Sequence, residues 1–324
     1  MSEPGSTSES HLTADRRPVV SVLMPVFNGQ DYLKEAVESI LNQTYRDFEF
    51  VVMDDGSTDN TLAILRQYAA ADPRLRVIAK EHRGLGATQH DLVNYAQGEF
   101  VAHMDADDVA LPDRFALQVE FLINNPKVAC VGGAFQMIDG AGRYLITLTP
   151  PQTNNEIQQL VLGGHGAITH SCAMMRSAPL KSIGGYDKNF DTAQDLELWL
   201  RIGEVGELAN LPDVLVKYRL HDKAVSEVKG GKQREAARRA CESAYQRRNI
   251  AGVFSAEALW RTGSGRSSRH LFLLQYGWWA WSSRQRKTAA FYGRQAIKAK
   301  PFSIAGWKLL IVSLLKPLES TKNG

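Results

Sequence analysis

Phe100-Val-Ala-His-Met-Asp-Ala-Asp-Asp108 closes an apolar run with three acids, and Pro112 follows after a short turn. Phe100–Met104 fits a short buried strand, which puts Asp105 and Asp107 at its carboxyl end. Side chains two apart on a strand point the same way, so these two carboxylates face one spot. At about 6 Å they repel by roughly 3 kcal/mol at an effective dielectric of about 20. A divalent cation removes that repulsion, and oxygen donors suit Mg²⁺ or Mn²⁺. An acidic loop capping the helix near Pro112 explains the same residues without a ligand.

Two other stretches repeat the theme. Val51-Val-Met53 is a second short apolar run, and it leads into Asp54-Asp-Gly-Ser-Thr-Asp59. Leu62–Tyr68 is helix-forming, with Ser57 or Thr58 as the expected N-cap. One capping residue suffices for that turn, so the paired acids before it ask for another purpose. In Gln194-Asp-Leu-Glu-Leu-Trp-Leu-Arg201, Leu196, Trp199 and Leu200 share a helical face. Asp195 then falls in the first turn, where the helix dipole favours a carboxylate.

Outward from these sites, strands and helices alternate. Val19–Met24 reads as a first strand and Tyr32–Leu41 as a helix; Glu49–Met53 is the second strand, followed by the helix from Thr58. Leu75–Ala79, a helix over Ala87–Ala96, the Phe100–Met104 strand, a helix over Arg114–Asn124 and a strand over Val128–Gly132 continue the rhythm. It predicts an α/β fold with a largely parallel, doubly wound sheet. Ligands of such sheets sit beyond the carboxyl ends of the strands, where Asp54, Asp55, Asp105 and Asp107 fall. No G-x-x-x-x-G-K-[ST] loop, G-x-S-x-G elbow or H-E-x-x-H pair is present, and Gly84-Leu-Gly86 lacks a third glycine. Phosphates are therefore expected on a metal held by acids, without a glycine cradle.

Composition bounds the rest. The chain has 324 residues, 44% of them hydrophobic, enough for one large core and an appendage. Its three cysteines, Cys130, Cys172 and Cys241, are widely spaced and form no C-x-x-C, which suits a reducing, cytoplasmic setting. Residues 1–18 are polar and read as a disordered tail without signal-peptide character. No run of about 18 apolar residues predicts a membrane span. Charge is split along the chain. From Lys229 onward there are 19 Lys and Arg against 4 Glu, and five of the six tryptophans lie there. A boundary is expected near Ala224–Gly231, with Gly230-Gly231 as linker, dividing residues 19–228 from a basic helical region, 229–324.

The motifs together resemble the inverting glycosyltransferases of family 2, which have the GT-A fold. The likeness runs from Val19 to about Ser226. Ser21-Val-Leu-Met-Pro-Val-Phe-Asn28 is similar to the family's first strand and P-x-x-N turn, and Asp54–Asp59 to its nucleotide-recognition turn. Gly98–Asp108 is similar to the strand with the D-x-D; Gly184-Gly-Tyr-Asp187 with Gln194–Arg201 to the acceptor-side segment, and Tyr218-Arg-Leu-His221 to its close. The resemblance implies transfer of a sugar, UDP-linked as the commonest case, from a nucleotide-diphospho-sugar donor to a hydroxyl acceptor. The setting it implies is cell-surface polysaccharide or lipid-linked glycan synthesis.

By the same resemblance Pro25, Phe27, Asp54 and Asp55 bind the nucleotide, Asp55 through its base. Asp105 lies near the ribose or sugar, and Asp107 holds Mn²⁺ or Mg²⁺ with Asp105 and His221 as further ligands. Asp195 is the general base. Two positions depart from the family: Gln194 stands where Glu often precedes the base, and Gln89-His90 where Arg-Asn is frequent. They favour as rivals an inert nucleotide-sugar-binding relative, while a nucleotidyltransferase would want a basic glycine-rich first loop that Pro25–Asn28 does not offer. In the basic region, Leu271–Trp281 and Phe302–Leu318 pair aromatics with cations, which suits an anionic membrane surface near a lipid-linked acceptor. A helical cap on the catalytic part is the alternative. Nucleic acid is not expected as a partner, because the aromatics cluster with aliphatics and do not interleave with the basic residues.

Overall fold

The apolar runs become strands, and their two faces decide where the helices go. The computed structural model describes residues 17–221, 230–256 and 266–316. Strands β1 (Val20–Val26), β2 (Phe48–Asp54), β3 (Leu75–Ala79) and β4 (Phe100–His103) pair in parallel in the order β3-β2-β1-β4. Helices α1 (Leu33–Leu41), α2 (Thr61–Ala71) and α3 (Leu85–Val93) connect them, and α4 (Arg114–Asn124) follows the short β5 (Val109–Ala110). Alternate residues of β1 serve opposite cores: Val20, Val22 and Met24 meet Val37 and Ile40 of α1 and Phe115 of α4, while Leu23 joins Leu92 of α3 on the other side. Burying each such side chain contributes about 1.5–3 kcal/mol, so the register of every strand is fixed.

Beyond β4 the sheet is mixed. β6 (Val128–Asp139), β7 (Tyr144–Leu148), β8 (Met174–Arg176) and β9 (Glu207–Leu220) extend it as β4-β8-β6-β9-β5, with β7 on β6. β8 runs antiparallel to both β4 and β6, so β6 has the direction of β4, and β9 is parallel to β6. The expectation of a largely parallel sheet thus holds for its first half. The strand expected over Val128–Gly132 continues to Asp139 because β9 pairs along its length, a partner distant in sequence. The carboxyl ends of β6 and β9 consequently reach the same edge as those of β1, β2 and β4.

Helices α5 (Asn154–Leu162), α6 (Ser177–Ser182) and α7 (Gln194–Val205) cover the second face, with a 3-10 turn at His170–Cys172. Trp199 of α7 is almost wholly buried there. α8 (Gly230–Arg248) sets Ala236, Ala237, Ala240 and Ala244 into this same core. Gly230-Gly231, expected as a linker, therefore opens a helix, and the rest of the expected tail and boundary lies outside the described residues. α9 (Arg266–Ser282), α10 (Arg286–Ala299) and α11 (Ile304–Leu315) form a unit on β6 and β7, with Tyr292, Ala289 and Leu309 packed on Met137 and Leu145. Asp139 ties it down: its carboxylate accepts from Tyr292 Oη at 2.5 Å and from Arg143 Nε at 2.6 Å. Among the described residues no helix is long and apolar enough to cross a membrane.

Candidate active site

The parallel half brings the β1 and β2 turns together. Asn28 has a positive φ of 50° and is held there from the β2 side. Its N–H donates to Ser57 Oγ at 2.9 Å, and its Oδ1 accepts from Thr58 N–H at 2.8 Å. Ser57 and Thr58 therefore stitch two turns together instead of capping α2; the N-cap is Asn60, and Asp59 just before it accepts from Thr61 N–H at 2.9 Å. Gly56, at φ 75°, leaves no space for a side chain, since a Cβ would stand 2.7 Å from the His82 nitrogen.

Asp55 and Asp54 are both buried, with different surroundings. Asp55 accepts from Arg83 N–H at 2.9 Å and Gly84 N–H at 3.0 Å, and its Oδ2 lies 2.8 Å from His82 Nδ1. It fixes the loop leading to α3, while Oδ1 keeps a further lone pair for a ligand. Asp54 Oδ1 is buried without a hydrogen-bond partner. The loop that Asp55 fixes stacks His82 on Phe27, ring centroids 4.2 Å apart, at an exposed lip. Pro25 is buried in β1, paired with Met53.

The D-x-D segment splits in two directions. Asp107 Oδ2 lies 2.8 Å from His221 Nε2, at the end of β9. His221 Nδ1 is buried with no hydrogen-bond partner, and the ring leans on Tyr32. Asp105 turns to the other face: Oδ1 lies 2.9 Å from His103 Nε2, and Oδ2 accepts from Ser171 Oγ at 2.8 Å. Burial works against its charge, but the His103 imidazole and the hydrogen bonds from His103 and Ser171 outweigh it, holding the carboxyl well below the usual range. Ser171 Oγ is also 2.5 Å from Asp108 Oδ2. A hydroxyl donates one proton, so a protonated Asp108 donating to Ser171 satisfies the set. Burial, then the charges of Asp107 and Asp105, push Asp108 well up, in agreement.

His103, His170 and Tyr186 escaped assignment from sequence, though a histidine inside the apolar run Phe100–Met104 was a visible irregularity. His103 and His170 stack with centroids 3.5 Å apart, and His170 Nε2 lies 2.8 Å from Tyr186 Oη. Burial and the neighbouring His103 push His170 well below its ordinary value, so it is a neutral ring. Ligand atoms of His103, Asp105 and His170 lie within 4.8 Å of one another. Their parallel rings do not suit a shared metal: nitrogen lone pairs lie in the ring plane, and an ion about 2.1 Å from one nitrogen leaves the plane of the other. Asp107 and His221 fit better, offering an accessible carboxylate oxygen beside an imidazole whose second nitrogen is buried and unpartnered.

Asp195 arrives from α7. Ala193 precedes the helix in the left-handed region at φ 55°, a conformation that costs a non-glycine residue about 1–2 kcal/mol. Asp195 accepts a backbone hydrogen bond from Leu196; burial raises its pKa, and the nearby charge of Asp105 raises it further. Glu197, one position past the next residue, is spoken for: it pairs with Arg201 Nε and Nη2, both at 2.5 Å. Gln89 is buried in α3 with its amide unpartnered, and Gln194 is partly exposed. The site therefore gathers Phe27 and His82, Asp105 with its histidines, Asp107 with His221, and Asp195, all at one sheet edge.

Comparison with known proteins gives the family and the fold. The family model described as "Glycosyl transferase family 2" matches residues 21–184. An uncharacterized glycosyltransferase of Methanocaldococcus jannaschii is 33% identical over 220 residues, covering 66% of this chain and 75% of that protein. A chondroitin synthase of Escherichia coli is 29% identical over 216 residues, 66% of this chain but 31% of the synthase. Among solved structures, the mannosyltransferase PcManGT from Pyrobaculum calidifontis, in complex with GDP-Man and Mn²⁺, superposes with a TM-score of 0.54 at 20% identity. That match covers 91% of this chain and 79% of the mannosyltransferase. S. aureus TarS with UDP-GlcNAc gives 0.52 at 16% identity, covering 91% and 79% of the two chains. At these identities the structural likeness concerns the fold.

Proposed function

The chain belongs to glycosyl transferase family 2, and from that premise we propose that it is a metal-dependent inverting enzyme which moves a sugar from a nucleotide-diphospho-sugar to a hydroxyl acceptor. The observation that carries this reading is the convergence of Asp195 on the Asp105 cluster beside the Asp107–His221 pair. Burial raises the pKa of Asp195, which makes its carboxylate a stronger base toward an acceptor hydroxyl. As the acceptor oxygen bonds to the anomeric carbon, the bond from that carbon to the diphosphate breaks and the configuration inverts.

The base is proposed to stack at the Phe27–His82 lip above Pro25, with Asp55 accepting a hydrogen bond from it and Asp54 beneath. Asp105, kept ionised, faces the ribose or sugar. Asp107 and His221 would hold Mn²⁺ or Mg²⁺, with Asp105 as a further ligand, and the ion supplies counter-charge to the departing diphosphate. UDP is the proposed nucleotide and a glycan or lipid-linked carrier the acceptor, with cell-surface polysaccharide or lipid-linked glycan synthesis as the setting. We place the work at the cytoplasmic face of an anionic membrane, with residues 19–228 as the catalytic part and 229–324 as the basic helical part.

Incubating the full chain with UDP-sugars, Mn²⁺ and simple acceptors tests the reading. Release of free nucleoside diphosphate with acceptor glycosylation is the expected result. Pyrophosphate would mark a nucleotidyltransferase, and donor binding without turnover an inert relative.

A further inference from the structure

α11 carries a single charged residue, Lys308, which is exposed, and only one of its faces is covered. Gly306, Leu309 and Ser313 point inward, and close approach is allowed by glycines on the neighbouring helices: Leu309 Cδ2 lies 2.2 Å from where a Cβ on Gly277 would be, and the Leu310 backbone nitrogen 2.9 Å from where one on Gly293 would be. The opposite face carries Ile304, Trp307, Ile311, Leu314 and Leu315 at helical spacing, with Phe302 fully exposed just before it. A surface helix in water ordinarily turns charged residues outward. An exposed apolar stripe of this length marks a surface that something covers.

The charge around the stripe selects the partner. Residues 266–316 contain ten Lys and Arg and not one Asp or Glu. A cavity of about 350 Å³ opens beside the stripe, lined by Arg286, Lys287, Arg294 and Ser313, and Leu314 belongs to both. Arg286 is held in place by the α11 carbonyls of Ser313 and Leu314 at 2.9 and 2.6 Å. Apolar side chains next to a pocket lined by cations match acyl chains next to anionic headgroups. A second copy meeting the same face would set the Arg286, Lys287 and Arg294 cations of one chain near those of the other, with no acid in residues 266–316 to offset them.

We propose that the outer face of α11, with the Arg286–Lys287–Arg294 cavity, is a docking surface for an anionic lipid bilayer. The helices α9–α11 are bound to β6 and β7 through Asp139, and Gly140 beyond it is next to His221, so a docked α11 fixes the orientation of the catalytic edge to the membrane. By contrast, the tryptophans of Leu271–Trp281 turn toward Met137, Leu145 and Leu220 and act mainly as a cap. The proposal rests on the reading that the enzyme works at a membrane and names the surface that makes the contact.

Flotation of the full chain with phosphatidylcholine vesicles, with or without phosphatidylglycerol, tests it. The wild type should float with the anionic vesicles alone and be released by salt. Trp307→Gln with Ile311→Gln, and separately Lys287→Glu with Arg294→Glu, should each lower partitioning about tenfold or more. Both doubles should keep wild-type circular dichroism and nucleoside diphosphate release in vesicle-free buffer. Wild-type flotation that the variants share overturns the α11 assignment and leaves the membrane reading intact. A wild type that turns over donor but never floats overturns both, without touching the sugar-transfer reading. A concentration-dependent dimer dispersed by Ile311→Gln would assign the face to a second copy and overturn the proposal.

Discussion

His221 Nε2 stands 2.8 Å from Asp107 Oδ2, although 114 residues separate them. β8 is the cause: by reversing direction against both β4 and β6 it returns β6, and β9 beside it, to the edge where β4 ends. Charge neutralisation at the diphosphate depends on this pair in our reading. Asp107→Ala should abolish transfer and remove the Mn²⁺ dependence of nucleotide binding. His221→Ala should weaken Mn²⁺-dependent binding while leaving metal-free binding unchanged. Calorimetric titration of nucleoside diphosphate with and without Mn²⁺ measures both, and full wild-type activity in excess EDTA would remove the metal from the scheme.

Asp195→Asn separates chemistry from stability. The variant keeps the shape but cannot accept a proton, so turnover should fall by about 10² or more with donor affinity retained. The pKa of Asp195 is raised in the fold, by burial first, so the native state holds its proton more tightly than the unfolded chain. Its contribution to stability is then complete below the unfolded value near 3.9 and is lost as pH rises through the folded one. Asn removes that loss. The variant should melt higher than wild type at pH 7, with the gap closing as pH falls toward about 4. Unchanged turnover would place the base elsewhere, and the Glu197–Arg201 pairing makes Glu197 a poor substitute.

Ser171→Ala should disturb both carboxyls that its hydroxyl touches. Asp108 and Asp105 would lose a shared partner in a buried setting, which costs about 1–3 kcal/mol. Urea unfolding should show a lowered midpoint with an unchanged slope, and donor affinity should weaken because Asp105 is no longer oriented. A midpoint within error of wild type would mean that the hydroxyl does not link the two.

Phe27→Ala tests the base lip. Aromatic pairs add about 0.5–1.5 kcal/mol beyond the area they bury. Nucleotide affinity should drop by about two- to tenfold, with the rate at saturating donor nearly kept. A large loss of that saturating rate instead would move Phe27 from the base to the reacting end.

Much of this was legible locally. Short apolar runs located β1, β2 and β4, and the acids closing the latter two placed Asp54, Asp55, Asp105 and Asp107 at carboxyl ends of the sheet. Leu196, Trp199 and Leu200 on one face marked α7 and put Asp195 in its first turn. The capping of α2 was misjudged because Ser57 and Thr58 have a stronger partner in Asn28, a residue about 30 positions away. Local propensity does not register a competitor of that kind.

The sequence by itself determined the α/β class, the family and the placing of acids at strand and helix ends, since each depends on spacing within one strand or helix turn. Tertiary structure alone decided that β6 runs on to Asp139, that His103, His170 and Ser171 surround Asp105, and that His221 reaches Asp107. It also decided which aromatic helix is covered. α9 and α11 both mix apolar residues with cations, but only the tryptophans of α9 face Met137, Leu145 and Leu220. Burial is a property of which surfaces meet, and the order of residues along one helix does not specify its neighbour.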